Sequence, residues 1–296
     1  MHRRLFATLL ALVALVAACG DDDGTTASSD TTGSTAAPAT DAPERIVSIS
    51  PSSTEILFAI GAGDQVVAVD DNSNYPEGVP TTDISSYEPN VEAIASHDPD
   101  LVVTSSDAPD LVDGLEALDI EVLVHAAPTE LDGVYAQITE LGEVTGHAEE
   151  AEELVAEMQA DIEDLAADAP GEGKTYYYEL DPTFYSVTGE TFIGKLLATI
   201  GLTSIADEAQ SEVPDYPQLS PEFIVERDPH LILLADTKCC GQDAGTVAAR
   251  PGFGGLTAVT AGNVVELDDD VASRWGPRIV ELLRQVAKAA AEVEAA

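Results

Sequence analysis

Glu92-Ala-Ile-Ala-Ser-His-Asp98-Pro99-Asp-Leu101 and Glu222-Phe-Ile-Val-Glu-Arg-Asp228-Pro229-His-Leu231 are two versions of one ten-residue stretch, 130 positions apart. Each runs into an apolar segment, Leu101-Val-Val-Thr in the first and Leu231-Ile-Leu-Leu in the second. Just upstream, Asn90 and Ser220 are good helix N-caps, and Val91 and Pro221 take the first helical position. Glu92 and Glu222 then fall in the first turn, where the helix dipole favours an anion. A helix followed by a buried strand, repeated at this separation, divides the chain into two similar lobes. That suits a two-lobed binder better than a one-pocket enzyme.

Strands and helices alternate outward from the repeat. In the first half, Ile46-Val-Ser-Ile49 and Val66-Val-Ala-Val69 read as strands. Between them, Ser52-Ser-Thr-Glu55 reads as a capping box opening a helix that ends at Gly61 and Gly63. After a polar loop carrying Tyr75 and Tyr87 come the repeated helix and strand, a helix near Leu111–Leu118, a strand at Ile120–Val124 and a helix near Leu131–Val144. Ala148 to Ala167 is an uninterrupted Glu- and Ala-rich stretch with Leu154, Met158, Ile162 and Leu165 on one face, about 30 Å long as a helix. Pro170-Gly171 stops it. The second half echoes the first: a strand from Thr175 to Leu180, a helix from Thr191 to Ile200, the repeat, a strand at Val264–Leu267 and a closing helix opened by Pro277. The expected fold is α/β, two Rossmann-like lobes with parallel-sheet cores joined by one long helix. The lobes span 42–146 and 170–296, and the link spans 147–169.

The first residues are an address, not part of this fold. Arg3 and Arg4, an apolar run from Leu5 to Val16 and Ala17-Ala18-Cys19 read as an export signal over 1–18. Val16-Ala17-Ala18-Cys19 resembles a lipobox, which would leave Cys19 as the lipidated N-terminus, anchoring the protein outside the cell membrane. Residues 19–41 have the composition of a solvated tether. The formal charge of −43 excludes nucleic acid as a partner. Cations are few, and Lys238, Arg250, Arg274 and Arg278 lie in the last sixty residues, a basic wall for the second lobe.

With these pieces placed, the chain resembles the substrate-binding lipoproteins of ABC importers for cobalamin and ferric siderophores, whose lobes are joined by one rigid helix. The matching stretches are Ile46-Val-Ser-Ile-Ser-Pro51-Ser-Ser-Thr-Glu55, Asn74-Tyr75-Pro76, Pro89-Asn90-Val91-Glu92, Asp98-Pro99-Asp-Leu-Val102, Thr191-Phe-Ile-Gly194-Lys-Leu-Leu197 and Ser273-Arg274-Trp275-Gly-Pro277-Arg278. The resemblance implies a monomeric receptor that docks on a permease through Glu92 and Glu222. It implies no resident cofactor, since iron or cobalt would arrive with the siderophore or corrinoid. Tyr75, Tyr87 and Trp275 match the family's ligand-contact positions.

Ligands of open parallel sheets bind beyond the carboxyl ends of the strands. There the sequence places Ser50, Ser52, Tyr75, Tyr87, Ser105, Asp107 and His125 from the first lobe, and Tyr185, Asp236, Lys238, Arg274 and Trp275 from the second. The ligand-binding set expected from these is Ser50, Ser52, Tyr75, Tyr87, Tyr185, Lys238, Arg274 and Trp275. Tyr176, Tyr177 and Tyr178 read as strand packing, and His97 and His230 as structural. Cys239 and Cys240 are either a vicinal disulfide or a pair of thiols. No Cys/His set has zinc spacing, and Gly189 to Lys195 has phosphate-loop spacing but Leu196 where Ser or Thr must hold magnesium. The alternatives are a metal-ion or haem receptor of the same fold, and a cleft hydrolase using Asp107, His125 and Asp236. Aromatics favour a corrinoid, whereas Lys238, Arg250 and Arg274 favour an anionic chelate.

Overall fold

The computed structural model describes residues 42–293, so the export signal, Cys19 and the tether lie outside the described residues. Among the described residues are two four-stranded sheets, both all-parallel. The first holds β1 (Ile46–Ile49), β2 (Val66–Val69), β3 (Leu101–Thr104) and β4 (Glu121–Val124) in the order β2-β1-β3-β4. The second holds β5 (Thr175–Glu179), β6 (Thr203–Ser204), β7 (Leu231–Leu234) and β8 (Val264–Glu266) in the matching order β6-β5-β7-β8. Helices α1 (Pro51–Ala59), α2 (Val91–Ala95), α3 (Pro109–Glu116) and α4 (Leu131–Thr145) belong to the first lobe. The link is α5 (Ala148–Ala166). Helices α6 (Phe192–Ala198), α7 (Pro221–Arg227), α8 (Thr237–Cys240), α9 (Ala244–Ala248), α10 (Thr257–Ala261), α11 (Asp269–Ala272) and α12 (Ile279–Glu292) belong to the second.

The repeat folds alike in both lobes. Asn90 and Ser220 each accept a hydrogen bond from the amide three residues on, from Ala93 at 2.9 Å and Phe223 at 3.2 Å. Asp98 and Asp228 both take left-handed backbone, at φ 49° and 42°, turning the chain from helix into strand. One position before each strand, Asp100 accepts the Arg45 amide and His230 accepts the Thr175 amide, both at 3.0 Å, which ties the repeat to the first strand of its own sheet. His230 is therefore structural.

Every residue of β1, β3 and β7 is buried, as continuous apolar runs covered on both faces require. The tyrosines of β5 alternate: Tyr176 and Tyr178 enter one core and Tyr177 the other. One core is continuous across the molecule, joining Leu57, Leu101 and Ile138 of the first lobe, Met158 and Ile162 of α5, and Tyr178, Leu231, Leu283 and Val286 of the second. The remaining sheet faces are covered separately, by a cluster around Ile94 and Leu115 and one around Ile224 and Phe253. Helices α4 and α5 lie so close that a Cβ on Gly142 would sit 2.4 Å from that of Ala151, so only glycine fits. A shared interior of this kind restrains the lobes as one packed unit.

Three readings of the sequence are corrected. The cap of α1 is Ser50, which accepts the Ser53 amide at 3.3 Å ahead of Pro51, so Ser52 and Glu55 are not a capping box. The closing helix starts at Ile279, with Arg278 as its cap. β6 and α8 to α11 escaped notice because two to five residues carry no apolar period.

Candidate functional site

A cavity of about 340 Å³ opens between the lobes. Ala127, Pro128 and Thr129, which follow β4, form one wall. Leu180 after β5, Glu190 to Ile193 at the start of α6, Asp215, Tyr216 and the Ala272–Trp275 segment after β8 form the other. Both sheets thus turn their carboxyl edges toward one space, as open parallel sheets do around ligands. Thr191 caps α6 by accepting the Gly194 amide at 3.0 Å and sets Phe192 on the wall.

Behind this cavity the lobes are bolted together. Glu55, 3% exposed, accepts from Arg274 Nη1 at 2.9 Å, from Arg278 Nε at 3.0 Å and from Arg278 Nη2 at 2.5 Å. Arg274 also donates to Asn74 Oδ1 at 3.0 Å, the Asn72 carbonyl at 2.9 Å and Asp270 at 3.1 Å. The Trp275 amide donates to Ser52 Oγ and its indole N–H to Gln137 Oε1, each at 3.1 Å. A second cavity of about 300 Å³ lies beside Glu55, lined by Phe58, Tyr75, Pro76, Pro277 and Arg278. There the Arg278 guanidinium stands 4.1 Å from the Tyr75 ring centroid, a cation–π contact.

Of the eight expected ligand residues, Arg274 and Trp275 line the main cavity and Tyr75 lines the second. Tyr87 is 86% exposed on its loop. The other four are placed elsewhere. Ser50 is buried as the cap of α1, and Ser52 is buried on the Trp275 amide. Tyr185 is half-buried and lines neither cavity, its carbonyl accepting the Leu180 amide. Lys238 is held by Asp268 at 2.7 Å and Asp270 at 3.0 Å. The basic wall is dismantled in the same way, because Arg250 makes a two-point bridge to Glu179 at 2.6 Å per bond. Sequence reasoning missed Phe192, Tyr216, Glu190 and Asp215 on the cavity, and Glu55 behind it. An exposed aromatic in the Pro214–Pro217 loop was the available signal for Tyr216. The sulfurs of Cys239 and Cys240 meet on the exposed α8 turn, 2.50 Å apart.

The three residues of a hydrolase do not converge. His125 is buried in the first lobe against Glu140 at 3.2 Å, and burial lowers its pKa while Glu140 opposes the shift. Asp107 is exposed on a loop, and Asp236 is buried in the second lobe with both carboxylate oxygens unpartnered among the described residues. Burial, reinforced by Glu179, pushes the Asp236 carboxyl from its ordinary 3.8 up to about 7, against the pull of Arg250. The folded chain thus holds this proton where the unfolded chain has lost it, so Asp236 makes stability fall as pH rises from about 4 to about 7. In urea titrations Asp236→Asn should be more stable than the parent at pH 8, with the gap closing by pH 4. A gap independent of pH would refute the titration.

The periplasmic binding protein family model matches residues 46–271. The chain belongs to this family. Among its relatives is an uncharacterized ABC transporter substrate-binding lipoprotein, YvrC, of Bacillus subtilis, 30% identical over 257 residues, covering 83% of this chain and 79% of that one. A cobalamin-binding protein of Halobacterium salinarum is also 30% identical, covering 83% of this chain and 69% of its own. The periplasmic heme-binding protein RhuT of Roseiflexus shares the fold at a TM-score of 0.74 and 24% identity, over 84% of this chain and 98% of that one. Periplasmic binding proteins hold solutes.

Proposed function

We propose that this protein is the extracytoplasmic receptor of an ABC importer, capturing a corrinoid or an iron–siderophore between its lobes and delivering it to the permease. The observation that carries this reading is the cavity between the carboxyl edges of two like sheets, faced by Phe192, Tyr216 and Trp275. Aromatic faces give a large rigid ligand contact area at little entropy loss. The cobalamin-binding and lipoprotein relatives support it. In this reading the protein is a monomeric binder, not a catalyst. Cys19 carries the lipid anchor, Glu92 and Glu222 dock on the permease, Cys239 and Cys240 are disulfide-bonded, and no cofactor resides in the chain. The second reading is a haem receptor of the same fold, favoured by the heme-binding structural neighbour.

Trp275 is the only tryptophan, so intrinsic fluorescence reports on the cavity wall. Titration with cyanocobalamin, a ferric hydroxamate and haem, corrected for absorbance, should give saturable quenching by one of them. Three flat titrations would defeat the receptor assignment.

A further inference from the structure

Ten of the twelve lysines and arginines fall among the described residues, and their partners constrain what the cavity can hold. A receptor for an anionic chelate gains most from guanidinium or ammonium groups free to turn to it. Among the described residues Arg274 is the one cation on the main cavity, and its Nη1 and Nη2 donors are engaged by Glu55, Asn72, Asn74 and Asp270, leaving only Nε–H to offer a ligand. Turning it toward a ligand would pull one of two arginines off a carboxylate that is almost fully buried, a costly exchange. Arg278, Arg250 and Lys238 are paired with acids, as are Arg227 with Glu208 and Arg284 with Asp161. Arg45 and Lys174 donate to backbone carbonyls. Lys195 and Lys288 have no such partner among the described residues, and neither lines the cavity. The other charged residues on its lining are Glu190 and Asp215, both exposed, within a chain of formal charge −43.

We propose that the cavity selects its ligand by charge, taking a neutral or cationic chelate that presents amide or other N–H donors and rejecting one with net negative charge. This rests on the receptor reading above. The rim carboxylates would accept hydrogen bonds from peripheral amides, as on a corrin ring, while their field disfavours an approaching anion. A neutral or cationic ferric hydroxamate meets the same condition. A ferric catecholate or a haem with its propionates does not.

The test compares ligands of one shape and different charge on the purified protein at low salt. One pair is cyanocobalamin and its carboxylic acid derivatives, in which peripheral amides are hydrolysed. The other is cationic ferrioxamine B and its N-succinylated, acidic form; haem and a ferric catecholate complete the panel. The less negative member of the binding pair should bind at least about tenfold tighter. Added salt should narrow the gap, and Glu190→Gln with Asp215→Asn should narrow it further by strengthening the acidic member. Equal or tighter binding of an acidic derivative, haem or the catecholate would overturn charge selection and leave the receptor reading standing. No binding by any member would overturn the receptor reading and this inference with it.

Discussion

Replacing Glu92 and Glu222 together by lysine is expected to abolish uptake while leaving ligand affinity within about twofold of the parent, a charge on the rim acting chiefly on association and register. Both glutamates are exposed, and both sit second in a short helix whose first turn is already capped by Asn90 or Ser220. Each helix leads into the strand paired directly with the first strand of its sheet, so each begins at the carboxyl edge, at equivalent points of two lobes of the same topology. Neither residue lines the inter-lobe cavity. Glu92 borders a shallow groove of about 350 Å³ with Pro89, Asn90 and Leu111, room for a partner's side chains. Loss of the favourable dipole interaction costs only about 0.3–1 kcal/mol per site, so the fold should survive. Transport by cells that depend on this protein, together with the Trp275 titration, separates the two effects. Uptake unchanged in the double variant would remove the docking role.

Removing Glu55 should damage the protein far more than any surface substitution. Glu55→Ala leaves Arg274, itself 7% exposed, and Arg278 facing each other without the carboxylate between them. Deleting one member of a buried ionic group typically costs about 3–5 kcal/mol, because the remaining charges stay desolvated and unpaired. Urea unfolding should show that loss, with little response to salt. Replacing the whole group, with Glu55→Leu, Arg274→Met and Arg278→Met, should restore much of the stability, since no charge is then left buried. The triple variant should nonetheless bind ligand poorly, because the bond network fixes Trp275 on the cavity wall through the neighbouring Ser52 and Gln137 contacts. A Glu55→Ala variant within about 1 kcal/mol of the parent would show that the arginines find other partners and that the clamp is incidental.

Much of the fold was legible because it is local. The repeat at Glu92 and Glu222, the apolar runs at Leu101 and Leu231 and the one-sided Ala148 helix each depend on spacing within a few turns. The basic residues show where that reading stopped. Their crowding into the last sixty positions was visible, but not whether they would face a ligand or an acid. Composition held a hint, since 55 acidic residues stand against 12 basic ones and an unpartnered cation is the exception in such a chain. Glu55 was misread for a related reason: Ser-x-x-Glu is a capping pattern, and nothing near it in sequence announces two arginines some 220 positions on.

By itself the sequence determined the elements, their order, the internal duplication and the two acidic helix starts, because helix caps and side-chain periods are settled between neighbours along the backbone. Tertiary structure alone decided which carboxylate meets which cation. It thereby decided that Arg274 and Arg278 bolt the lobes together, that Ser50 and Ser52 are buried, and that Phe192, Tyr216, Glu190 and Asp215 share the lining of the inter-lobe cavity. Pairing across 219 residues depends on where packing brings two chain segments, and no local pattern encodes that.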